Sequence, residues 1–205
     1  MVAIDGASGS GKSTFADELA ATLEISGNQV VRASIDSFHR PRRERYRLGA
    51  DSPDGYYRES HDIDGRVREL LRPFRSGAGR YRVALFDEPA DRPIESSAEL
   101  VPDRAILIFD GLFLHRPEVF GFWDFGVFLT ADSRRERAWE QYLWSDLPPA
   151  HNERDLEIAA RIAKARRRRY VDGQALYESE AKPRDRANLV IDNNDFLHPQ
   201  VIATR

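Results

Sequence analysis

No cysteine occurs in the 205 residues, which excludes disulfides, thiolate nucleophiles and Cys-based zinc sites. Lysine is nearly absent, present only as Lys12, Lys164 and Lys182 among 31 basic residues, so Lys12 stands out in a chain that carries its positive charge on arginine. No apolar run approaches the ~20 residues of a membrane span, and no signal-like segment precedes the first apolar stretch. A soluble cytoplasmic protein without membrane contact is expected. Neither an internal repeat nor a low-complexity tract is present. The five histidines, His39, His61, His115, His151 and His198, have no metal-ligand spacing, no H-E-x-x-H occurs, and no Ser-His-Asp arrangement is evident. A large excess of either charge is also lacking: the net charge is −3, against the basic balance usual in a nucleic-acid binder. No nucleic-acid partner is expected. The oligomeric state is left open, a homo-oligomer included.

The 41% apolar content is sufficient for a core, and the 32% charged content makes the surface dense in ions. A chain of this length is expected to form a single domain, residues 1–205, with room for a small insertion. Its most informative segment is Gly6-Ala7-Ser8-Gly9-Ser10-Gly11-Lys12-Ser13-Thr14, which fits G-x-x-x-x-G-K-[ST], a phosphate-cradling P-loop. The glycines allow backbone N–H groups to turn inward, and those groups with the following helix N-terminus form a nest for an anion. Lys12 would neutralise phosphate oxygens and the Ser13 hydroxyl would ligate Mg²⁺. Val2 to Asp5 reads as a buried strand and Thr14 to Ile25 as a helix, the order that such a loop requires.

Further strands are predicted at Gln29–Ile35, Tyr81–Phe86 (one arm of a hairpin returning through Ile94–Val101), Ala105–Phe109, Phe125–Leu129 and Asn188–Ile191. Helices are predicted at Ile63–Phe74, Ser133–Trp144, ended by Pro148-Pro149, and Glu153–Tyr170. A long polar loop is predicted from Asp36 to about Ser60, either a solvated segment or a flap over an anionic ligand, with Arg40, Arg42, Arg43, Arg45 and Arg47 along it. Apolar strands alternating with helices imply an α/β fold, a mostly parallel sheet covered on both faces. Ligands bind such sheets at the carboxyl ends of the strands. Asp36 follows the second strand there and is a candidate general base for phosphoryl transfer. Asp110 closes the run Ile106-Leu107-Ile108-Phe109 and is a candidate to orient Mg²⁺ through water. One or two of Arg161, Arg166, Arg167, Arg168 and Arg169 are expected to point into the cleft, because residues seven or eight apart share a helix face. The tryptophans, Trp123, Trp139 and Trp144, are expected in the core.

Across these segments, and through Ser34-Ile35-Asp36-Ser37-Phe38-His39-Arg40, the sequence resembles the uridine kinase / phosphoribulokinase family of P-loop kinases. Phe86-Asp87, Phe109-Asp110-Gly111 and the tail from Arg169-Tyr170 through Pro183 to Ile191 are looser matches. The resemblance implies the P-loop NTPase fold, with a substrate-binding loop, helix and hairpin at about 37–104 and a lid with an Arg-rich helix at about 145–180. It implies transfer of the ATP γ-phosphate to the 5′-hydroxyl of uridine or cytidine, with Asp36 as base, Lys12 as phosphate clamp and Ser13 as Mg²⁺ ligand. Phe86 and Asp87 would lie near the ribose, His115 and Arg116 near the base, and Arg161, Arg168 and Arg169 near the lid and substrate. The departures concern the acceptor: His39 stands where the family often has Tyr, Asp110 replaces Glu, and Ala138 falls where uridine kinases carry an Arg. Pantothenate, a sugar or a sugar phosphate is the alternative acceptor, to which the Arg-rich loop is suited. A nucleotide-binding switch without turnover is the alternative of another class, and the guanine-reading N-K-x-D motif that would favour it does not occur.

Overall fold

The computed structural model describes residues 1–132, 143, 145, 147 and 151–205. The helix expected at Ser133–Trp144, its Pro148-Pro149 end, Ala138, Trp139 and Trp144 lie outside these except for Leu143. The centre is a six-stranded sheet. Its strands are β1 (Val2–Gly6), β2 (Val30–Ser34), then, after the short strands β3 (Arg80–Tyr81), β4 (Phe86–Asp87), β5 (Arg92–Pro93) and β6 (Glu99–Leu100), β7 (Ile106–Asp110), β8 (Phe125–Thr130), β9 (Leu189–Asp192) and β10 (Gln200–Thr204). The sheet order is β10-β9-β8-β1-β7-β2. All pairs are parallel except β9 with β10. The chain runs from β1 out to the β2 edge, returns to β7, and crosses β1 to reach β8. The carboxyl end of β1 therefore sits where the strand order reverses, the position at which such sheets bind ligands.

Strict alternation is absent from β1 and β7 because both faces are covered. Ala3, Leu107 and Phe109 pack with Leu70, Leu71 and Phe74 of the helical segment after Asp62. Ile4 and Ile108 face the other way, onto Ala16 and Ala20 of helix α1 (Lys12–Ile25). A strand buried on both faces has no polar side to show. Trp123 packs against the first of these clusters, as expected.

The segment from Asp36 to Ser60 is built, not open. A 3₁₀ turn spans Ile35–Phe38, and short helices span Arg42–Arg45 and Pro53–Glu59. Ser52 caps the latter, its Oγ accepting from Gly55 N at 3.0 Å, with Pro53 at the first helical position; this pair is a start signal legible in the sequence. The predicted helix at Ile63–Phe74 runs on to Ser76 through a π turn at Val67–Leu71. The turn sits beside Pro73, which has no N–H for the Glu69 carbonyl; that carbonyl accepts from Arg82 N at 2.9 Å instead. The expected hairpin is broken in two: β3 pairs with β6 and β4 with β5. The Arg-studded helix runs Glu153–Arg167, continues through a π turn at Arg168–Asp172 and is followed by a helix at Gly173–Ala181. Strand β10 is an addition to the expected set; Gln200, Val201 and Ile202 are exposed, so this edge strand has no inward apolar pattern to read. Among the described residues no helix is long and apolar enough to cross a membrane.

Candidate active site

The loop leaving β1 is shaped by glycine. Gly9 and Gly11 hold φ of 76° and 86°, conformations that a side chain resists. A Cβ on Gly6 would stand 2.3 Å from the Leu129 carbonyl oxygen. Asn193, beyond β9, donates from Nδ2 to Ser10 O at 2.8 Å and pins the loop from above. No side chain caps the start of α1, so its first amides are directed toward any anion held by the loop. Lys12 Nζ donates to Ala7 O at 2.8 Å. Burial pulls the Lys12 ammonium below its ordinary pKa, and Asp5, Asp110 and Asp36 pull it back up.

Ser13 Oγ donates to Asp110 Oδ2 at 2.8 Å, joining the start of α1 to the end of β7. Asp110 is buried, and its other oxygen accepts from Arg32 Nη2 at 2.9 Å. Both Ser13 and Asp110 line a cleft of about 650 Å³ with Lys12 and Asp36. A hydroxyl and a carboxylate are hard oxygen donors, the set that Mg²⁺ takes, so these residues fit the ion. Asp36 sits in the 3₁₀ turn after β2, exposed to the cleft; among the described residues its carboxylate has no hydrogen bond or ion pair.

The P-loop residues divide by position. Ser8 and Gly9 line the cleft with Lys12 and Ser13. Gly6 and Ala7 lie beneath it, Ser10 is buried with an unpartnered hydroxyl, Gly11 packs on Asn193 and Phe196, and Thr14 is exposed on α1.

The residues expected to hold the acceptor are mostly elsewhere. Phe86 is buried, and Asp87 accepts from Ala90 N at 3.0 Å to close a turn; Glu88 and Pro89, the next two residues, line the cleft in their place. His115 is fully buried, with Nδ1 2.7 Å from Asp5 Oδ2. Arg116 is also buried, donating to Tyr57 O and Glu118 Oε1, each at 2.6 Å. Neither lines the cleft, because the loop after β7 turns both into the packing beneath it. Arg161 is exposed on its helix, and Arg168 is exposed and pairs with Asp51 at 2.9 Å. Arg169 alone of the three lines the cleft. Arg161 and Arg168, seven apart, share the exposed face of the helix, and it is Arg169, inside the π turn that begins at Arg168, that is turned to the cleft. Arg169 is buried, donates to Arg45 O at 2.9 Å and lies 4.2 Å from the Tyr46 ring centre.

Several contributors escaped the sequence reading. Asp5 is a buried hub: Oδ1 accepts from Gly6 N at 2.7 Å, and Oδ2 accepts from Leu114 N at 3.1 Å, His115 N at 3.2 Å and the Tyr177 hydroxyl. Its signal is a lone carboxylate at the end of an apolar strand, directly before the loop glycine. The Arg-rich segment is partly helical and tied down, though Arg42, Arg43 and Arg47 remain exposed. Arg45 is buried and paired with Glu88, and Arg40 and Arg47 reach Glu59 at 3.5 and 3.1 Å.

The profile of the phosphoribulokinase / uridine kinase family matches residues 1–172. No curated protein gives a significant match. Among solved structures, a Bacillus stearothermophilus protein described as a possible uridine kinase aligns at 24% identity with a TM-score of 0.69, over 92% of this chain and 86% of that one. A Silicibacter sp. TM1040 protein described as a candidate fructose transport system kinase aligns at 24% identity and a TM-score of 0.61, over 87% and 84%. The Rhodobacter spheroides phosphoribulokinase aligns at 15% identity and a TM-score of 0.55, over 94% of this chain and 69% of that one. At these identities the structural likeness concerns the fold.

Proposed function

The chain belongs to the phosphoribulokinase / uridine kinase family and is a small-molecule kinase of the P-loop type; from that premise we propose that it moves the γ-phosphoryl group of ATP to an acceptor hydroxyl, with Asp36 as general base. One observation carries the reading: a single cleft is lined by Lys12, Ser13 and Asp110 and by the Asp36 carboxylate, which is unpaired among the described residues. Phosphoryl transfer asks mainly for positioning and charge neutralisation. The loop amides and Lys12 would hold the β- and γ-phosphates. Ser13 and Asp110 would hold Mg²⁺, which when bound neutralises phosphate oxygens. Asp36 would take the proton of the attacking hydroxyl.

The acceptor we propose first is the 5′-hydroxyl of uridine or cytidine. The family supports it, and so do the aromatic side chains of Tyr46, Tyr56 and Tyr170 that line the cleft. A sugar or sugar phosphate is the second reading. It is favoured by Arg169, a buried guanidinium in the cleft wall without a carboxylate partner among the described residues, and by the sequestration of His115 and Arg116. The segment 37–104 and the 145–180 region are proposed as the acceptor-binding and lid parts of the single domain. An ADP-release screen across nucleosides, pantothenate, sugars and sugar phosphates tests both readings. Turnover with a nucleoside alone supports the first and turnover with an anionic sugar the second. ATP binding without turnover on any acceptor would overturn the kinase mechanism.

A further inference from the structure

Two histidines 22 positions apart in sequence meet beside Asp36. His39 and His61 form an isolated antiparallel bridge, bracketed by Arg40 N to Ser60 O at 2.9 Å and Asp62 N to Phe38 O at 2.8 Å. Their rings are 4.5 Å apart. One ligand atom from each of Asp36, His39 and His61 lies within 4.8 Å of the others, and all three line the cleft.

From this juxtaposition we propose that Asp36, His39 and His61 form a second cation site, distinct in chemistry from the Ser13–Asp110 set, for a borderline divalent ion of the Zn²⁺ kind. The ring orientations support it. His39 Nδ1 lies 2.9 Å from the Asp36 backbone oxygen, and a carbonyl can only accept, so Nδ1 is the donor there and Nε2 is the nitrogen left for a ligand in the neutral tautomer. A ligating histidine is commonly held by this kind of backbone bond on its other nitrogen. His61 is only 4% exposed, and among the described residues neither of its ring nitrogens has a hydrogen-bond partner. The Asp36 carboxylate is likewise uncommitted.

Donor type decides which ion is taken. Two imidazole nitrogens and one carboxylate suit Zn²⁺, Co²⁺ or Ni²⁺, whereas Mg²⁺ takes oxygen. Zinc bonds of roughly 2.0–2.2 Å bring tetrahedral ligand atoms to about 3.5 Å from one another. Asp36, which is exposed, is free to rotate toward that spacing while His39 keeps its backbone bond. Of the cations that face His61, Arg45 is paired with Glu88 and Arg116 with Glu118, while the buried Arg66 opposes binding and the Asp36 carboxylate favours it. Occupation would engage the carboxylate that is proposed to receive the acceptor proton, so the ion would inhibit, in competition with the acceptor. This last consequence rests on the proposed function; the binding itself does not.

The test uses the full chain, stripped with chelator, and titrates Zn²⁺ calorimetrically and Co²⁺ by its visible absorption. One ion per chain is expected, undisturbed by equimolar Mg²⁺, with affinity reduced at least about tenfold in His39→Gln and in His61→Gln and the Co²⁺ bands altered in both. His61 packs on Phe113; if His61→Gln does not fold by circular dichroism, His39→Gln decides alone. Less than one ion per chain, or unchanged affinity in His39→Gln, overturns the site. Binding as expected but without acceptor-competitive inhibition would leave the site standing and count against Asp36 as base.

Discussion

Ser13 and Asp110, 97 positions apart in sequence, meet through a 2.8 Å hydrogen bond at the mouth of the cleft. Each lies at the end of an element fixed for other reasons. Ser13 is in the first turn of a helix whose Ala16 and Ala20 pack on the sheet, and Asp110 ends a strand buried on both faces. Arg32 on the neighbouring strand holds the other Asp110 oxygen, so the carboxylate is aimed before any ion arrives.

Asp110→Asn should raise the Mg²⁺ concentration needed for half-maximal activity by about tenfold or more, the size seen when a metal site loses a ligand or its orientation. Titration of activity against Mg²⁺ at saturating ATP checks it. An unchanged Mg²⁺ dependence would remove Asp110 from the ion's surroundings.

Asp36→Asn should keep ATP affinity while kcat falls by ~10²-fold or more, the usual contribution of a general base. The side chain is exposed and, among the described residues, unbonded, so stability should not move. Turnover near that of the parent protein would take the base role from Asp36.

Lys12→Ala should weaken nucleotide binding and abolish transfer, because Lys12 is the only lysine lining the cleft among the described residues. A fluorescent-nucleotide titration that matches the parent protein's would contradict the phosphate assignment.

His115→Gln separates a structural role from substrate contact. Loss of a bond to the buried Asp5 should cost about 1–3 kcal/mol of stability and leave the acceptor KM unchanged. Thermal unfolding and acceptor kinetics on the same preparation check it. A raised acceptor KM with unaltered unfolding would return His115 to the acceptor site.

Arg66 is 1% exposed, with Nε and Nη1 unpartnered among the described residues, above the Phe109 ring. Burial, then the charge of Arg116, pulls its pKa down from the ordinary guanidinium range to about 10. A cation whose pKa is lower folded than unfolded destabilises the fold wherever it is charged in both states, that is, below about pH 10. From about pH 10 up to the ordinary guanidinium range the unfolded chain binds the extra proton, so this residue's contribution becomes less unfavourable as pH rises. Arg66→Met should therefore raise the denaturation midpoint at pH 7, by about 1–3 kcal/mol in stability. The advantage should narrow above pH 10. A lower midpoint for the variant at pH 7 would show that the guanidinium has a partner.

Much of the frame was legible in the sequence because it is encoded locally. Val2 to Asp5, Ile106 to Phe109 and Phe125 to Leu129 are apolar runs bounded by turns, and a strand with both faces covered needs nothing more to be read. The helix from Ile63 was legible by its spacing, but its π turn was not, since that depends on where Arg82 N finds the Glu69 carbonyl. The two short ladders at β3–β6 and β4–β5 replaced one hairpin because the pairing of two-residue strands is set by neighbours, not by propensity.

The candidate site divides in the same way. The nine residues from Gly6 to Thr14 specify their own backbone path, so the loop, Lys12 and Ser13 could be named from the chain alone, as could carboxylates that end strands. Side chains on the loop after β7 and on the Arg-rich helix were beyond that reach. Whether His115, Arg116 or Arg169 faces the cleft depends on a bend or a π turn that rotates the chain, and on which neighbour fills the space behind. The meeting of His39 with His61 belongs wholly to tertiary structure: no spacing rule joins them, and only the packing of two segments around Phe38 and Phe113 brings their rings to the carboxylate of Asp36.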